Sequence, residues 1–305
     1  MDISIVIVSY NVKEYIVSCV ESIYKHSKSN YTFEIIIVDN NSKDGSAEEL
    51  IKEFPKIPLI KNNYNPGFSI AVNQGVKKSR GDYLLILNPD TLFVEDSLYI
   101  LLKEAESKKR LGAIGPSLID EKGLIQQSFW RSPSLLSTIL SIFYLDYFNY
   151  YKNYKEKKFN KISKVDSISG GAFFLQKKIF NELDGFDEDL FWMEDIDFCL
   201  NARKKGYNIF YSPRTKIIHF SGKSSESNFK VTVSNQLKSK IKFFRKNHSK
   251  LKAIILLYSI IFLLIIKSFV ALIFSLYSKF YRKKLLAYIF SIRFILLDKN
   301  LINSK

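Results

Sequence analysis

Cysteine is nearly absent from this chain, and that scarcity closes several routes at once. Cys19 and Cys199 are the two cysteines in 305 residues, and they sit in separate segments with no CxxC spacing. A disulfide framework or a cysteine zinc site is thereby excluded, and a reducing compartment fits. No G-x-S-x-G stretch and no Cys/His pairing offers a covalent nucleophile. The N-terminal apolar run, residues 3–8, lacks a basic leader and a small-residue cleavage pattern, and is too short for a signal peptide. It reads as a buried strand.

Acidic charge is scarce in one half only. The formal net charge is +16. Residues 223–305 carry 17 Lys and Arg against two acids, Glu226 and Asp298, whereas residues 1–222 carry 29 against 28. A uniformly basic protein would point to nucleic acid. A neutral domain with a basic, apolar tail points instead to an anionic membrane surface. Residues 238–252 hold seven Lys and Arg and no acid, and residues 253–278 follow with a single charge, Lys267. A second apolar run covers 285–297, after Arg282-Lys283-Lys284. About 20 apolar residues suffice to cross a bilayer. A mid-span lysine costs about 2.5 kcal/mol or more unless it snorkels or pairs, so two helices lying in the interface satisfy the same composition. A soluble helical hairpin packed on the domain is the third arrangement. The expected division is therefore a catalytic-type domain over residues 1–235 and a membrane-associated helical tail over 236–305.

Before the tail, short β-branched runs alternate with helical patterns. Residues 3–8, 34–38 and 83–87 are near-continuous apolar runs, and each stops in a polar cluster: Ser9-Tyr10-Asn11, Asp39-Asn40-Asn41-Ser42 and Asn88-Pro89-Asp90. Helical periodicity covers the intervals. That pattern predicts an α/β sheet covered on both faces, with ligands at the strand ends. Residues 128–164 break the regularity with aromatic and basic residues, and read either as an inserted lid or membrane-facing surface, or as a loop with a short helix.

Each polar cluster has a possible chemistry. Asp39, ending a buried strand, suits a base imide or a ribose hydroxyl, although an Asx-turn with Ser46 as helix cap explains part of the same stretch. Asn65, Pro66 and Gly67 make a turn into a helix whose small residues Ala71 and Gly75 equally suit close packing on a sheet. Asp90 places a hard oxygen ligand where a divalent cation could bridge two phosphates; a turn with Pro89 in its second position competes. Six acids fall within residues 187–197, interleaved with Leu190, Phe191, Trp192 and Ile196. Carboxylates among aromatics are partly desolvated, which lifts their pKa toward that of a useful base. Trp192 offers a flat face for a sugar ring. His219, after a β-like run, is by itself more often structural than a ligand.

Taken in order, these segments resemble glycosyltransferase family 2, in particular its bacterial rhamnosyltransferase-like branch. The pieces are Val8-Ser9-Tyr10-Asn11, Val38-Asp39-Asn40-Asn41-Ser42, Asn65-Pro66-Gly67-Phe68, Asn88-Pro89-Asp90, Ser169-Gly170-Gly171-Ala172, Gly185-Phe186-Asp187-Glu188, Glu194-Asp195-Ile196-Asp197 and His219-Phe220-Ser221-Gly222. They cover residues 3–224 and stop before the tail. The resemblance implies a GT-A fold, a Rossmann-like mixed sheet with flanking helices that binds a nucleotide-sugar. It implies inversion by single displacement, with Asp195 as the general base. Ser9, Asn11, Asp39, Asn65, Gly67 and Asn88 would then lie along the nucleotide. Asp90 and His219 would hold Mg²⁺ or Mn²⁺, with Asn88 replacing the first acid of the family's DxD-like motif. Gly171, Trp192, Glu194 and Asp197 would face the sugar or acceptor. The absent Q-x-x-R-W signature argues against a processive synthase.

The resemblance puts dTDP-rhamnose first as donor, with a UDP-hexose or UDP-GlcNAc as the alternative. The acceptor would be a cell-surface glycan or a polyprenyl-diphosphate-linked sugar at the cytoplasmic face of the membrane, and no nucleic acid is expected as a partner. A non-catalytic nucleotide-sugar-binding scaffold is the competing class. Deleting residues 238–305 is expected to release the protein from anionic vesicles in a flotation assay. A nucleic-acid-binding tail would instead give salt-sensitive oligonucleotide binding that the deletion removes.

Overall fold

A computed structural model of the chain describes residues 1–28, 30–143, 160–220, 229–298 and 301. These fold as two compact units. The first comprises residues 1–28, 30–132, 160–188 and 194–220; the second comprises 133–143, 189–193, 229–298 and 301.

The first unit begins with the strand β1 (Ile3–Ser9), the helix α1 (Lys13–His26), β2 (Phe33–Asp39), α2 (Ser46–Glu53), β3 (Leu59–Lys61), α3 (Phe68–Lys78) and β4 (Tyr83–Leu87). It continues through β5 (Thr91–Phe93), α4 (Ser97–Glu106), β6 (Leu111–Ile119) and β7 (Phe129–Trp130). The chain then gives the second unit the helix α5 (Leu135–Ile142), and returns as β8 (Ser163–Val165), β9 (Ser167–Ile168), β10 (Ala172–Gln176), α6 (Lys177–Glu182), α7 (Glu194–Lys204) and β11 (Asn208–His219). The main sheet runs β3-β2-β1-β4-β10-β6-β11-β5, with β8 alongside β11. Strands β3, β2, β1 and β4 are parallel, whereas β10 enters antiparallel to both β4 and β6. The apolar runs are strands because both faces are covered. All seven residues of β1 and all nine of β6 are buried, which is why neither alternates.

Two packing details position the functional side chains. At Gly75 of α3, an added Cβ would lie 2.5 Å from Val6 Cγ1, so the small residues of this helix let it sit directly on β1. The close-packing explanation of Gly75 is therefore the one the structure supports. Phe173 of β10 and Phe198 of α7 meet edge to face at 5.6 Å, with Phe186 at 5.8 and 5.7 Å from them. These buried rings fix α7, whose first turn carries Glu194, Asp195 and Asp197. Ring pairs of this geometry add about 0.5–1.5 kcal/mol each beyond area burial.

Within residues 128–164, Phe129–Trp130 pairs with Ser167–Ile168, and α5 starts on a Ser134 cap that accepts the Ser137 N–H. The helical reading holds for that part. Tyr144, Tyr147, Phe148, Tyr150, Tyr151 and Lys155 to Lys158 lie outside the described residues, as do Ser221 and Gly222.

The second unit also contains α8 (Phe229–Asn247), α9 (Lys250–Ser275) and α10 (Lys279–Leu296). Ser234 of α8 and Ser291 of α10 share a buried hydroxyl hydrogen bond of 2.8 Å, so small residues set that close approach. Helix α9 is long and apolar enough to cross a membrane, with mean hydropathy 2.6 over its best window. It leaves Tyr258, Phe262 and Phe269 at least 60% exposed.

Replacing Gly75 with alanine is expected to cost about 1–3 kcal/mol through overpacking against Val6. Urea unfolding measures it, and an unchanged midpoint would contradict the close contact.

Candidate active site

Ser9 and Asp39 end β1 and β2 and are register partners. Both are buried, and Ser9 Oγ and Asp39 Oδ1 have no hydrogen-bond partner among the described residues. Asp39 Oδ2 does have one, the Ser42 N–H at 3.0 Å. One carboxylate oxygen thus shapes its own loop while the other is open to an N–H or O–H donor. Leaving buried polar atoms unpaired costs about 1–3 kcal/mol each, so a ligand hydroxyl or imide fits here. Asn11 braces the loop from the other side in the left-handed region (φ 53°). Its N–H donates to Ser42 Oγ at 3.0 Å, and its Oδ1 accepts the Lys43 N–H at 2.8 Å.

An amide network extends this edge. Asn40 Nδ2 donates to Asn65 Oδ1 and to the Gly67 carbonyl, both at 3.3 Å. Asn62 Nδ2 donates to Asn40 Oδ1 and Gln74 Oε1, both at 2.9 Å. Gly67 (φ 101°, ψ 169°) opens α3 in a conformation that L residues with a Cβ rarely adopt. Its N–H donates to Asn65 Oδ1 at 3.0 Å.

Beyond β4, Asn88, Asp90 and His219 converge. Hydrogen bonding holds Phe220 N–H on the Asp90 carbonyl at 2.9 Å, which draws the end of β11 to this turn. His219 Nε2 lies 3.5 Å from Asp90 Oδ1 and 3.2 Å from Asn88 Nδ2, and both side chains of the pair are largely buried. The Asn88 amide is a donor, so Nε2 accepts; Nδ1–H then faces Gln126 Oε1 at 3.3 Å. One tautomer satisfies both contacts, an assignment that follows from the hydrogen-bond pattern. Gln126 Nε2 also donates to the His219 carbonyl at 2.8 Å. Were Nε2 to give up the Asn88 amide, its lone pair and an Asp90 carboxylate oxygen would share one small space, which fits a divalent cation. Among the described residues no three His, Cys, Asp or Glu side chains gather into a metal cage. A two-donor set is the kind that Mg²⁺ or Mn²⁺ completes with phosphate oxygens and water.

The turn Ser169-Gly170-Gly171 joins this pair to the acidic helix. Gly170 N–H donates to Asp195 Oδ2 at 2.9 Å, and the next residue, Gly171, gives its carbonyl to Asn88 N–H at 3.0 Å. A Cβ on Gly171 would lie 3.5 Å from His219 Cε1 and 3.2 Å from Leu118 Cδ1. Asp195 Oδ1 accepts the Ile196 N–H at 2.7 Å. Burial pushes the Asp195 carboxyl up to about 6, against the Gly170 and Ile196 N–H groups that pull it down.

The remaining expected residues take different places. Asp197 is buried and its Oδ2 accepts the Asn201 amide at 3.0 Å, one turn along α7. Glu194 is buried at the first position of that helix. Trp192 belongs to the second unit, where it is 54% exposed, has φ 68° and stacks on Phe191 at 6.2 Å. Sequence reasoning missed Gln126, which sits in an irregular stretch with no motif to mark it. It also passed over the amide roles of Asn40 and Asn62. Cys19 and Cys199 are buried free thiols; burial pushes the first up to about 12 and the second upward too. Neither is a nucleophile.

A raised carboxyl pKa has a definite sign in folding. Such a group binds its proton more tightly folded than unfolded, so its contribution is present below its ordinary value of 3.8 and is lost as pH rises through about 6. Urea unfolding is therefore expected to show the wild type losing stability relative to Asp195→Asn from about pH 4 to about pH 6. Parallel curves for the two proteins would mean that Asp195 is not desolvated.

Residues 4–184 match the family described as Glycosyl transferase family 2. The N-acetylglucosaminyl-diphospho-decaprenol L-rhamnosyltransferase of Mycobacterium tuberculosis (strain CDC 1551 / Oshkosh) is 24% identical over 231 residues, 70% of this chain and 75% of that protein. Rhamnosyltransferase WbbL of Escherichia coli (strain K12) is 26% identical over 250 residues, 79% of this chain and 92% of that one. Among solved structures, GalNAc-T7 with UDP, GalNAc and Mn²⁺ superposes with TM-score 0.60 at 18% identity, over 80% of this chain and 48% of its own. The mannosyltransferase PcManGT from Pyrobaculum calidifontis, in complex with GDP-Man and Mn²⁺, gives TM-score 0.56 at 14% identity, over 100% of this chain and 88% of its own. The expected GT-A fold is the one observed.

Proposed function

The chain belongs to glycosyltransferase family 2, and from that premise we propose that it moves a sugar from a nucleotide-diphosphate donor, dTDP-rhamnose first, onto a polyprenyl-diphosphate-linked acceptor with inversion. The observation that carries this reading is the single turn that holds Asp195 on one side and the Asn88, Asp90 and His219 group on the other. The two rhamnosyltransferase relatives support the donor, and the decaprenol-linked substrate named for one of them supports the acceptor.

In this reading the nucleoside lies along the ends of β1 and β2. Asp39 Oδ1 and Ser9 Oγ bond its base or ribose, while Asn11 and the amide network through Asn65 and Gly67 hold the loops in shape. Asn88 lies beside the diphosphate. Asp90 and His219 would hold Mg²⁺ or Mn²⁺, which supplies positive charge to the leaving diphosphate. Gly171, Glu194 and Asp197 border the sugar and acceptor. Asp195, ionised above about pH 6, takes the proton of the acceptor hydroxyl. The acceptor oxygen forms the new bond to the anomeric carbon as the carbon–oxygen bond to diphosphate breaks, and its electron pair leaves with the diphosphate. Proton uptake by a base with a pKa just below neutrality suits an enzyme working near pH 7.

The tail completes the proposal. A basic sequence with an exposed apolar helix α9 keeps the protein at the cytoplasmic face of a membrane, where a lipid-linked acceptor is found. We read residues 1–235 as the catalytic domain and 236–305 as the membrane-associated part.

Asp195→Asn is expected to lower sugar transfer about 10²–10⁴-fold while nucleotide-sugar binding, followed by calorimetry, stays within a few fold. The wild-type kcat/KM should rise tenfold per pH unit on its acid limb and level off near pH 6. If the variant still transfers sugar at the wild-type rate, another residue is the base.

A further inference from the structure

Gln126 lies outside every motif of the site, yet it meets His219 twice. Its Nε2 donates to the His219 carbonyl at 2.8 Å, and its Oε1 faces His219 Nδ1 at 3.3 Å. The first contact decides the second. A backbone carbonyl can only accept, so the amide nitrogen of Gln126 must be the end turned toward it, which leaves the amide oxygen for the ring. That oxygen can only accept in turn, so the shared proton belongs to Nδ1. The other ring nitrogen, Nε2, keeps its lone pair, and it is the one 3.5 Å from Asp90 Oδ1 and 3.2 Å from Asn88 Nδ2.

The backbone brings the two residues together. Strand β6 ends at Ile119 and the chain reverses at once. Asp120 Oδ1 accepts the Lys122 and Leu124 N–H groups at 2.9 and 2.8 Å, and Gly123 takes φ 78°. Asp120 N–H then donates to the Leu124 carbonyl at 2.9 Å, and Gln126 N–H to the Leu118 carbonyl at 2.8 Å. This closed turn sets Gln126 beside the end of β6. The parallel register of Ile218 with Ile119 brings the end of β11 to the same place, and Thr91 of β5 is the register partner of His219.

The opposite tautomer shows what the contact prevents. Asp90 Oδ1 is an acceptor beside Nε2, and a carboxylate attracts a proton to that nitrogen. With the proton there, Nε2 has no lone pair to give a metal. The Asn88 amide cannot make the choice, since either of its ends can face the ring. Metal-binding histidines characteristically donate their other N–H to an oxygen that fixes tautomer and ring orientation. Here that oxygen belongs to an uncharged amide whose direction is fixed by the histidine's own carbonyl.

We propose that Gln126 is a positioning residue of the metal site: it holds the His219 proton on Nδ1 and so keeps Nε2, the nitrogen facing Asp90, free to bind a divalent cation. The proposal rests on the reading of Asp90 and His219 as metal ligands given above.

The test uses the full chain in neutral detergent with ¹⁵N-labelled histidine. Long-range ¹H–¹⁵N correlation spectra separate the two neutral tautomers, and a total of three histidines, His26, His219 and His248, keeps the spectrum readable. At about pH 8.5, where imidazole is largely neutral, wild-type His219 should carry its proton on Nδ1. In Gln126→Leu the Nε2–H form should appear. Gln126→Glu still offers an oxygen to Nδ1–H and should restore the wild-type tautomer, which separates a lost acceptor from a damaged turn. Mn²⁺ titrated into the same samples broadens the His219 resonances as it binds. The midpoint should rise about 10–100-fold in Gln126→Leu and be no higher than wild type in Gln126→Glu. An Nε2–H tautomer in the wild type would overturn the proposal. So would a Gln126→Leu variant unchanged in tautomer or in midpoint, or a Gln126→Glu variant as impaired as the leucine one. If Mn²⁺ leaves wild-type His219 unbroadened, the metal reading itself falls and takes the proposal with it; failure of the proposal alone shows as normal wild-type broadening with an unshifted variant.

Discussion

The site depends on one tight turn. Ser169-Gly170-Gly171 runs into β10, a strand that lies antiparallel between β4 and β6. Its two glycines leave backbone groups where side chains would otherwise stand, so Gly170 N–H reaches the Asp195 carboxylate and the Gly171 carbonyl reaches Asn88 N–H. Three residues of backbone therefore set the spacing between a half-buried carboxylate and the Asp90–His219 pair. Such spacing matters because catalysis by a positioned base requires its geometry to be fixed within fractions of an ångström. The aromatic packing of Phe173, Phe186 and Phe198 then holds the helix carrying Asp195 against the strand that begins at this turn.

The parallel half of the sheet performs a different task. Strands β1, β2 and β4 are largely buried on both faces and end together, so the polar residues that stop them are presented on one edge. Most of those side chains are occupied with each other: Asn11 with Ser42 and Lys43, and Asn40 with Asn62, Asn65 and Gly67. Against that well-paired background, the buried and unpartnered Ser9 Oγ and Asp39 Oδ1 are the atoms that a nucleoside would engage. In the proposed reading, that asymmetry separates residues that build the rim from residues that would meet the ligand.

Much of this was legible in the sequence, and the reasons differ by element. Strands β1, β2, β4 and helices α1 to α3 could be read because apolar runs and helical periodicity map directly onto a covered sheet. Asp90 stood out because it follows directly on an apolar run and Asp195 because it lies among aromatics, whereas His219 gained a ligand role only through the family resemblance. Gln126 was invisible. It lies in an irregular stretch, and its contact with His219 spans 93 positions, which no local pattern encodes. Asn11 and Asn65 looked like ligand contacts, yet their recorded side-chain bonds go to neighbouring loops, because an amide at a turn serves a backbone N–H as readily as a ligand. In Gly75 the reverse happened, and the plain packing explanation suffices.

The central claim is that the ends of β1, β2 and β4 and the Asp90–His219 pair form one site for a nucleotide-diphosphate sugar. Thermal unfolding with a panel of nucleotide-sugars, each with Mn²⁺ and with a chelator, addresses it most directly. One donor is predicted to raise the midpoint in the presence of metal, corresponding to about 2.7 kcal/mol at a hundredfold excess over its Kd, and to lose that effect with chelator or in Asp90→Ala. An absence of any nucleotide-sugar effect, or an equal effect with the chelator present, would contradict the account.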